Sequence, residues 1–153
     1  MKSKLTLGIA VSILTIGISA FENRADAQAP FAANTRSTSV TLPLGGIGTI
    51  NVIELPEVGT YVISGQQNLS ASPTTAQTPV LCYMTTQPGG STPLPSGPYS
   101  MTTIPSEGGY LTLPLNGYYT ATSSPMNLWV VCRYFGQEQV SAIYGNITAT
   151  RVQ

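Results

Sequence analysis

The sequence contains no histidine, and no aspartate follows residue 26. The Ser-His-Asp and Cys-His arrangements of nucleophilic catalysis therefore cannot be assembled from this chain. Zinc sites lose their commonest ligand for the same reason, and calcium sites need a density of carboxylates that the chain lacks. We therefore expect no metal ion or other cofactor, and we predict that the protein is not an enzyme.

Charge is also scarce, because charged residues make up 8% of the chain. No lysine follows residue 27, and nucleic-acid binding needs clustered lysine and arginine to displace counterions from phosphates, so we expect no nucleic-acid partner. The glutamates fall at strand ends or in turns, where carboxylates are normally solvated, and not in the flanking pair of a glycosidase. The charged residues after residue 27, with a net charge of −1, are Arg36, Arg133, Arg151, Glu54, Glu57, Glu107 and Glu138.

The first 27 residues follow the plan of an export signal. Lys2 and Lys4 precede an apolar run over residues 5–21, and Ala25-Asp26-Ala27 matches the small-x-small site that signal peptidase cleaves. The run falls short of the roughly 20 residues that a membrane span needs. We predict a mature chain that is secreted, periplasmic or at the cell surface, without a membrane span; an uncleaved membrane anchor is the alternative.

Two apolar stretches, residues 80–84 and 126–134, each carry one of the two cysteines. Apolar residues alternate on the side of each cysteine, which predicts two strands whose thiols point into a core. In an exported chain, such a pair is best explained as one disulfide between Cys82 and Cys132. The other residues predicted to point inward with them are Val80, Met84, Leu128, Val130 and Tyr134.

Eight or so strand-like segments follow one another at a spacing near ten residues, with turn signals between them. This pattern predicts an all-β antiparallel sandwich over residues 40–153, preceded by a flexible lead over residues 28–39. Asn116-Gly117 predicts a two-residue hairpin turn. Residues 87–98 are so rich in glycine and proline that they predict a loop presented to solvent, which we call the 87–98 loop.

Several short motifs resemble a widespread group of bacterial exported domains. They are Leu55-Pro56-Glu57-Val58-Gly59-Thr60-Tyr61 at the start of a strand, Cys82, Tyr110-Leu111-Thr112-Leu113, Cys132 and Ile147-Thr148-Ala149-Thr150 near the end. Domains of this group are similar to jelly rolls of the tumour-necrosis-factor type, so the resemblance implies a two-sheet jelly roll. The group has no agreed activity, and the resemblance therefore implies no catalytic residue.

Tyrosine is the abundant side chain with binding chemistry, and it is accompanied by a single tryptophan. If the cysteines point inward, Trp129, Tyr83 and Arg133 point outward, and with Phe135 they form a candidate binding or interface patch. Three explanations stay open for this patch. It is covered by another segment of the chain, it packs between identical subunits, or it is a platform for a ligand.

The leading hypothesis is a non-enzymatic β-sandwich module that works through protein contacts, as a homo-oligomer or against a surface protein. A carbohydrate-binding module that uses exposed aromatic residues on a polysaccharide is the first alternative. A fimbrial-type structural subunit is the second alternative, although its first cysteine would normally come earlier in the mature chain than Cys82.

Overall fold

The computed structural model describes residues 31–73, 77–136 and 139–152, and nine β-strands run through these residues. None of the described residues forms a helix that could cross a bilayer. The predicted export signal, residues 28–30 of the predicted lead and Glu138 lie outside the described residues. The strands are β1 (Phe31–Arg36), β2 (Val40–Thr41), β3 (Ile47–Leu55), β4 (Gly59–Ala71), β5 (Thr78–Thr85), β6 (Tyr99–Ile104), β7 (Gly109–Ala121), β8 (Met126–Tyr134) and β9 (Val140–Arg151).

The strands form two antiparallel sheets that pack face to face. The five-stranded sheet has the order β1-β9-β4-β7, with β2 also paired to β9, and the four-stranded sheet has the order β3-β8-β5-β6. Most connections cross from one sheet to the other, as the topology of a jelly roll requires. The predicted two-sheet jelly roll is therefore confirmed.

The two cysteine strands, β5 and β8, are neighbours at the centre of the four-stranded sheet. Cys82 pairs directly with Cys132, and the two form the predicted disulfide with their Cα atoms 4.1 Å apart. The inward residues that the alternation predicted on both strands are completely buried. They pack against inward residues of the five-stranded sheet, including Tyr61, Ile63 and Leu69, so that the core lies between the sheets.

The predicted flexible lead differs from the structure over Phe31–Arg36. These residues form β1, which pairs with β9 along its whole length and makes one edge of the five-stranded sheet. Backbone hydrogen bonds to a neighbouring edge do not depend on side-chain type, so a segment with little apolar periodicity is able to add to a sheet. The alternation of half-buried Ala32, Asn34 and Arg36 with exposed neighbours is too weak a sequence signal to predict the strand.

The predicted hairpin at Asn116-Gly117 is also wrong, because β7 continues through both residues and pairs with β4 throughout. Gly117 instead provides room for the 87–98 loop. A Cβ atom on Gly117 would lie 2.7 Å from the backbone nitrogen of Pro98, closer than such atoms approach. Glycine is needed at this position because the loop backbone approaches closely, and not because the chain turns.

Candidate binding surfaces

The predicted aromatic patch lies on the outer face of the four-stranded sheet, but its members differ in exposure. Tyr83 on β5 is 2% exposed, Trp129 on β8 is half-buried, and Phe135 just after β8 is 45% exposed. Arg133 is exposed, and its guanidinium carbon lies 4.7 Å from the centre of the Phe135 ring. The prediction that Tyr83 belongs to an exposed face is therefore wrong.

The 87–98 loop accounts for the burial of Tyr83. The Tyr83 hydroxyl donates a hydrogen bond to the Gly90 carbonyl oxygen at 3.0 Å, and the Gly89 amide donates to Thr49 Oγ1 on β3 at 2.8 Å. Because β8 lies between β5 and β3, the loop crosses the outside of the sheet over Val131, which is fully buried. The loop is thus fixed against the sheet at this end and is not simply presented to solvent.

The far end of the 87–98 loop joins the two sheets. The Tyr118 amide on β7 donates to the Ser96 carbonyl oxygen at 3.2 Å, and the Met84 amide on β5 donates to the Pro98 carbonyl oxygen at 3.2 Å. Leu94 packs against the core. The loop therefore covers the middle of the predicted patch. It separates Trp129 from Arg133, which lies about 13 Å along the strand at 3.3 Å per residue, and from Phe135 beyond it.

The outer face of the five-stranded sheet is a second candidate surface, which we call the contact face. The outward positions of β1, β4, β7 and β9 carry no charged side chain. Across the sheet, strand pairing aligns Phe31, Thr150, Val62 and Tyr118 in one row. Three of these side chains are large, apolar or aromatic, and each is at least 50% exposed. This row is the broadest apolar feature of the contact face.

Polar side chains in the other rows of the contact face bond to each other across the strands. Ser64 donates to Asn116 at 2.9 Å, Thr112 donates to Asn68 at 2.6 Å, and the Thr60 and Thr120 hydroxyls lie 3.0 Å apart. Cross-strand pairs of this kind hold side chains in fixed positions. The contact face therefore presents ordered hydroxyl and amide groups around an apolar row.

The third candidate is an open groove of about 460 Å³ at the edge of the sandwich, between β1 and β3, which we call the edge groove. The Asn34 side-chain amide on β1 donates to the Val52 carbonyl oxygen on β3 at 2.5 Å and links the two sheet edges. A bulge in β3 at Ile50 shifts the register between Thr49 and Asn51. Trp129 lies in the wall of the edge groove, so this member of the predicted patch belongs to a different surface.

Two donor side chains of the edge groove are incompletely bonded. The Nη1 atom of Arg36 donates to the backbone oxygens of Thr38 and of Ala142, the latter at 2.8 Å, but its Nε and Nη2 atoms are buried without an acceptor among the described residues. Asn51 is 6% exposed, and its Nδ2 atom also has no acceptor among the described residues. Desolvation by burial lowers the pKa of Arg36 from its ordinary value.

The three glutamates among the described residues differ in their contacts. Glu57 makes a salt bridge to Arg151 at 2.8 Å, Glu107 accepts a hydrogen bond from Ser106, and Glu54 is exposed on β3. Within residues 31–73, 77–136 and 139–152, no three His, Cys, Asp or Glu side chains are grouped as metal ligands would be.

Sequence reasoning located the outer face of the four-stranded sheet but missed the contact face and the edge groove. A signal for the contact face was present, because Thr, Ser, Asn and Tyr alternate with buried residues over residues 60–70 and 110–120. No comparable signal marked Arg36 or Asn51, since their proximity depends on the pairing of β1. No protein-family model matches the chain, and no curated protein matches it either.

Proposed function

We propose that the protein is a non-enzymatic exported module that acts at the cell surface or outside the cell through protein contacts. The contact face makes these contacts, and the first partner that we consider is a second copy of the chain. The proposal depends chiefly on the row of Phe31, Val62 and Tyr118, which exposes large side chains on a regular sheet.

The chemistry of the contact face supports a protein partner. The cores of protein interfaces are depleted in charged residues and enriched in aromatic ones. Two copies of an uncharged face approach each other without like-charge repulsion, and burying such a face does not require the desolvation of ions. The hydroxyl and amide groups around the row have further capacity to bond across an interface, because each of these groups accepts or donates more than one hydrogen bond.

A carbohydrate-binding module is the second candidate, and the same face favours it. Aromatic rings on a flat sheet stack against sugar rings, and the surrounding hydroxyl and amide groups resemble those of polysaccharide-binding surfaces in their hydrogen-bonding capacity. On this alternative the ligand is a neutral polysaccharide, because the face has no cation to bind an acidic one. Trp129 contributes to this alternative only if the ligand also reaches the edge groove.

The decisive experiment introduces a charge at the centre of the row. We expect the wild-type protein to form a stable oligomer, measured by size-exclusion chromatography with light scattering, and Val62→Lys to be a monomer because it buries an unpaired charge at the interface. Val58→Lys is the matched control, since both valines are 50% exposed but Val58 lies in a turn before β4. Val58→Lys should therefore assemble like the wild type.

The same proteins distinguish the two candidate functions. A wild-type monomer at high concentration would contradict self-assembly. Retention of that monomer on insoluble cellulose or chitin, lost in Val62→Lys and kept in Val58→Lys, would instead support the carbohydrate-binding candidate. Retention that is lost in Trp129→Ala and kept in Val62→Lys would place the sugar contact at the edge groove, where Trp129 lies, and refute a role for the contact face.

A further inference from the structure

We propose that the edge groove is a binding site for an acidic saccharide, whose carboxylate is bound by Arg36 and Asn51 and whose sugar ring packs against Trp129. This site is separate from the contact face, because it lies between the facing edges of the two sheets and not on the outside of the five-stranded sheet. Either proposal is therefore able to fail without affecting the other.

Unsatisfied donors are the first feature of the edge groove that indicates a ligand. Buried polar groups in folded proteins are almost always hydrogen-bonded, and a buried donor without a partner costs free energy. The edge groove brings together three nitrogen atoms without an acceptor in the described residues, Nε and Nη2 of Arg36 and Nδ2 of Asn51. Concentrated in one concave site, such donors indicate a bound acceptor that is supplied from outside the chain.

The charge of the edge groove indicates that this acceptor is an anion. Arg36 is the cation of the lining, and no glutamate or aspartate lies among the lining residues. A guanidinium group pairs with a carboxylate through two parallel hydrogen bonds, and Nε and Nη2 of one arginine are able to donate such a pair. A single arginine balances the single negative charge of a carboxylate more closely than the larger charge of a phosphate.

The other lining residues indicate a sugar. Trp129 supplies a flat apolar surface, and Ser37 and Thr38, two exposed residues of the lining, carry hydroxyl groups. Small-molecule sites commonly combine an aromatic wall with a few polar groups in a volume of roughly 300–1,000 Å³, and the edge groove lies within this range. A purely aromatic acid would use Trp129 and Arg36 but would leave the hydroxyl groups without partners.

Ligand contact requires a modest adjustment of the site. The three nitrogen atoms are shielded from water as well as from acceptors, so a side-chain rotation has to turn them toward the carboxylate. Rotamer changes of this kind are common at binding sites. Ser37 and Thr38 at the rim are exposed and belong to neither β1 nor β2, so the rim is not constrained by sheet pairing.

Trp129 is the single tryptophan of the chain, so its fluorescence reports directly on the edge groove. We would express the full 153-residue sequence and purify the protein that the cells produce. We would then titrate this protein with trigalacturonate. We expect a saturable change in emission that weakens as salt concentration rises, because the contact includes an ion pair. The fully methyl-esterified trigalacturonate has the same rings without the charge and should bind about tenfold or more weakly, since hydrogen bonds to charged groups are the stronger ones.

Two substitutions test the roles of the donors. Arg36→Met keeps an apolar stem and should weaken binding by about tenfold or more, whereas Arg133→Met, on the outer face of the four-stranded sheet, should bind like the wild type. Asn51→Asp keeps the oxygen that accepts the Val52 amide hydrogen bond at 2.9 Å, and it replaces the free donor with a negative charge. This second variant should abolish binding while its far-ultraviolet circular dichroism shows that the fold is retained.

Three results with the wild-type protein would overturn the proposal. The first is the absence of any saturable emission change with trigalacturonate at millimolar concentration, and the second is equal affinity for the acid and its methyl ester. The third is displacement of trigalacturonate by benzoate at equal concentration, which would assign the site to small aromatic acids and not to saccharides. Unchanged affinity in both Arg36→Met and Asn51→Asp would show that these two side chains do not bind the carboxylate.

Discussion

On the four-stranded sheet, Tyr83 and Val131 point away from the sandwich core and yet are almost completely buried, whereas Val62 in an outward position of the five-stranded sheet is 50% exposed. The two outer faces therefore differ in whether their large outward side chains are covered. Each carries large apolar side chains where a soluble protein usually carries charges. On the four-stranded sheet the chain covers them with its own 87–98 loop, and on the contact face they are left exposed.

This comparison shows that the direction of a side chain does not by itself decide its exposure. Period-two alternation assigns each residue of a strand to one face of the sheet, but a loop that packs on the outer face is able to bury it. The comparison also explains why we assign the contact face, and not the predicted aromatic patch, to partner binding. An apolar row that the chain itself covers has no surface left for a partner.

The largest expected effect comes from the disulfide, which braces the four-stranded sheet and has no counterpart in the described residues of the five-stranded sheet. Replacing Cys82 and Cys132 together by alanine should lower the free energy of unfolding by about 4 kcal/mol in the chain-entropy model for a loop of this length. Urea unfolding followed by Trp129 fluorescence measures the change. The control is the wild type reduced with dithiothreitol, whose urea midpoint should approach that of the double variant. Two free thiols in the purified wild type would contradict the fold described above.

A smaller effect should follow from Gly117→Ala, which tests whether the 87–98 loop is docked. The new Cβ atom would lie within 3.0 Å of the loop backbone, and such overpacking costs about 1–3 kcal/mol. If the loop were not docked, the same substitution would instead stabilise the protein by about 0.4–1 kcal/mol, because alanine restricts the unfolded chain. The sign of the change in the free energy of unfolding, measured with urea, therefore shows whether the loop is docked. Asn116→Ala, next to it and pointing outward, controls for changes within β7 itself.

Much of this architecture was predictable from the sequence, and the exceptions have physical causes. The inward residues around Cys82 and Cys132 and the disulfide follow from alternation and turn signals, which are local properties of the chain. The strand β1, the straight course of β7 and the burial of Tyr83 depend on which segments become neighbours in space. Gly117 illustrates the difference, since its sequence context resembles a turn and its role is set by Pro98, which lies on another segment.

The smallest expected effect concerns Tyr83 under the loop at high pH. Burial raises the pKa of Tyr83 above its ordinary value of about 10, an effect that the nearby charge of Arg133 partly opposes. The folded state therefore favours the neutral phenol, and its contribution to stability is fully present below the pKa of the unfolded chain. This contribution is lost as pH rises through the raised pKa of the folded protein, because the unfolded chain releases its proton first.

Comparison with Tyr83→Phe isolates this effect. At pH 8 the variant should be less stable than the wild type by about 1 kcal/mol, because it lacks the hydrogen bond to Gly90. Above pH 10 the wild type should lose more stability than the variant in urea unfolding, so the two stabilities converge. Tyr110→Phe, at the most exposed tyrosine of the contact face, is the control for the loss of a hydroxyl group and should leave the stability at pH 8 unchanged. Parallel curves for wild type and Tyr83→Phe would mean that the loop does not shield Tyr83 in solution, and the contrast between the two faces would then disappear.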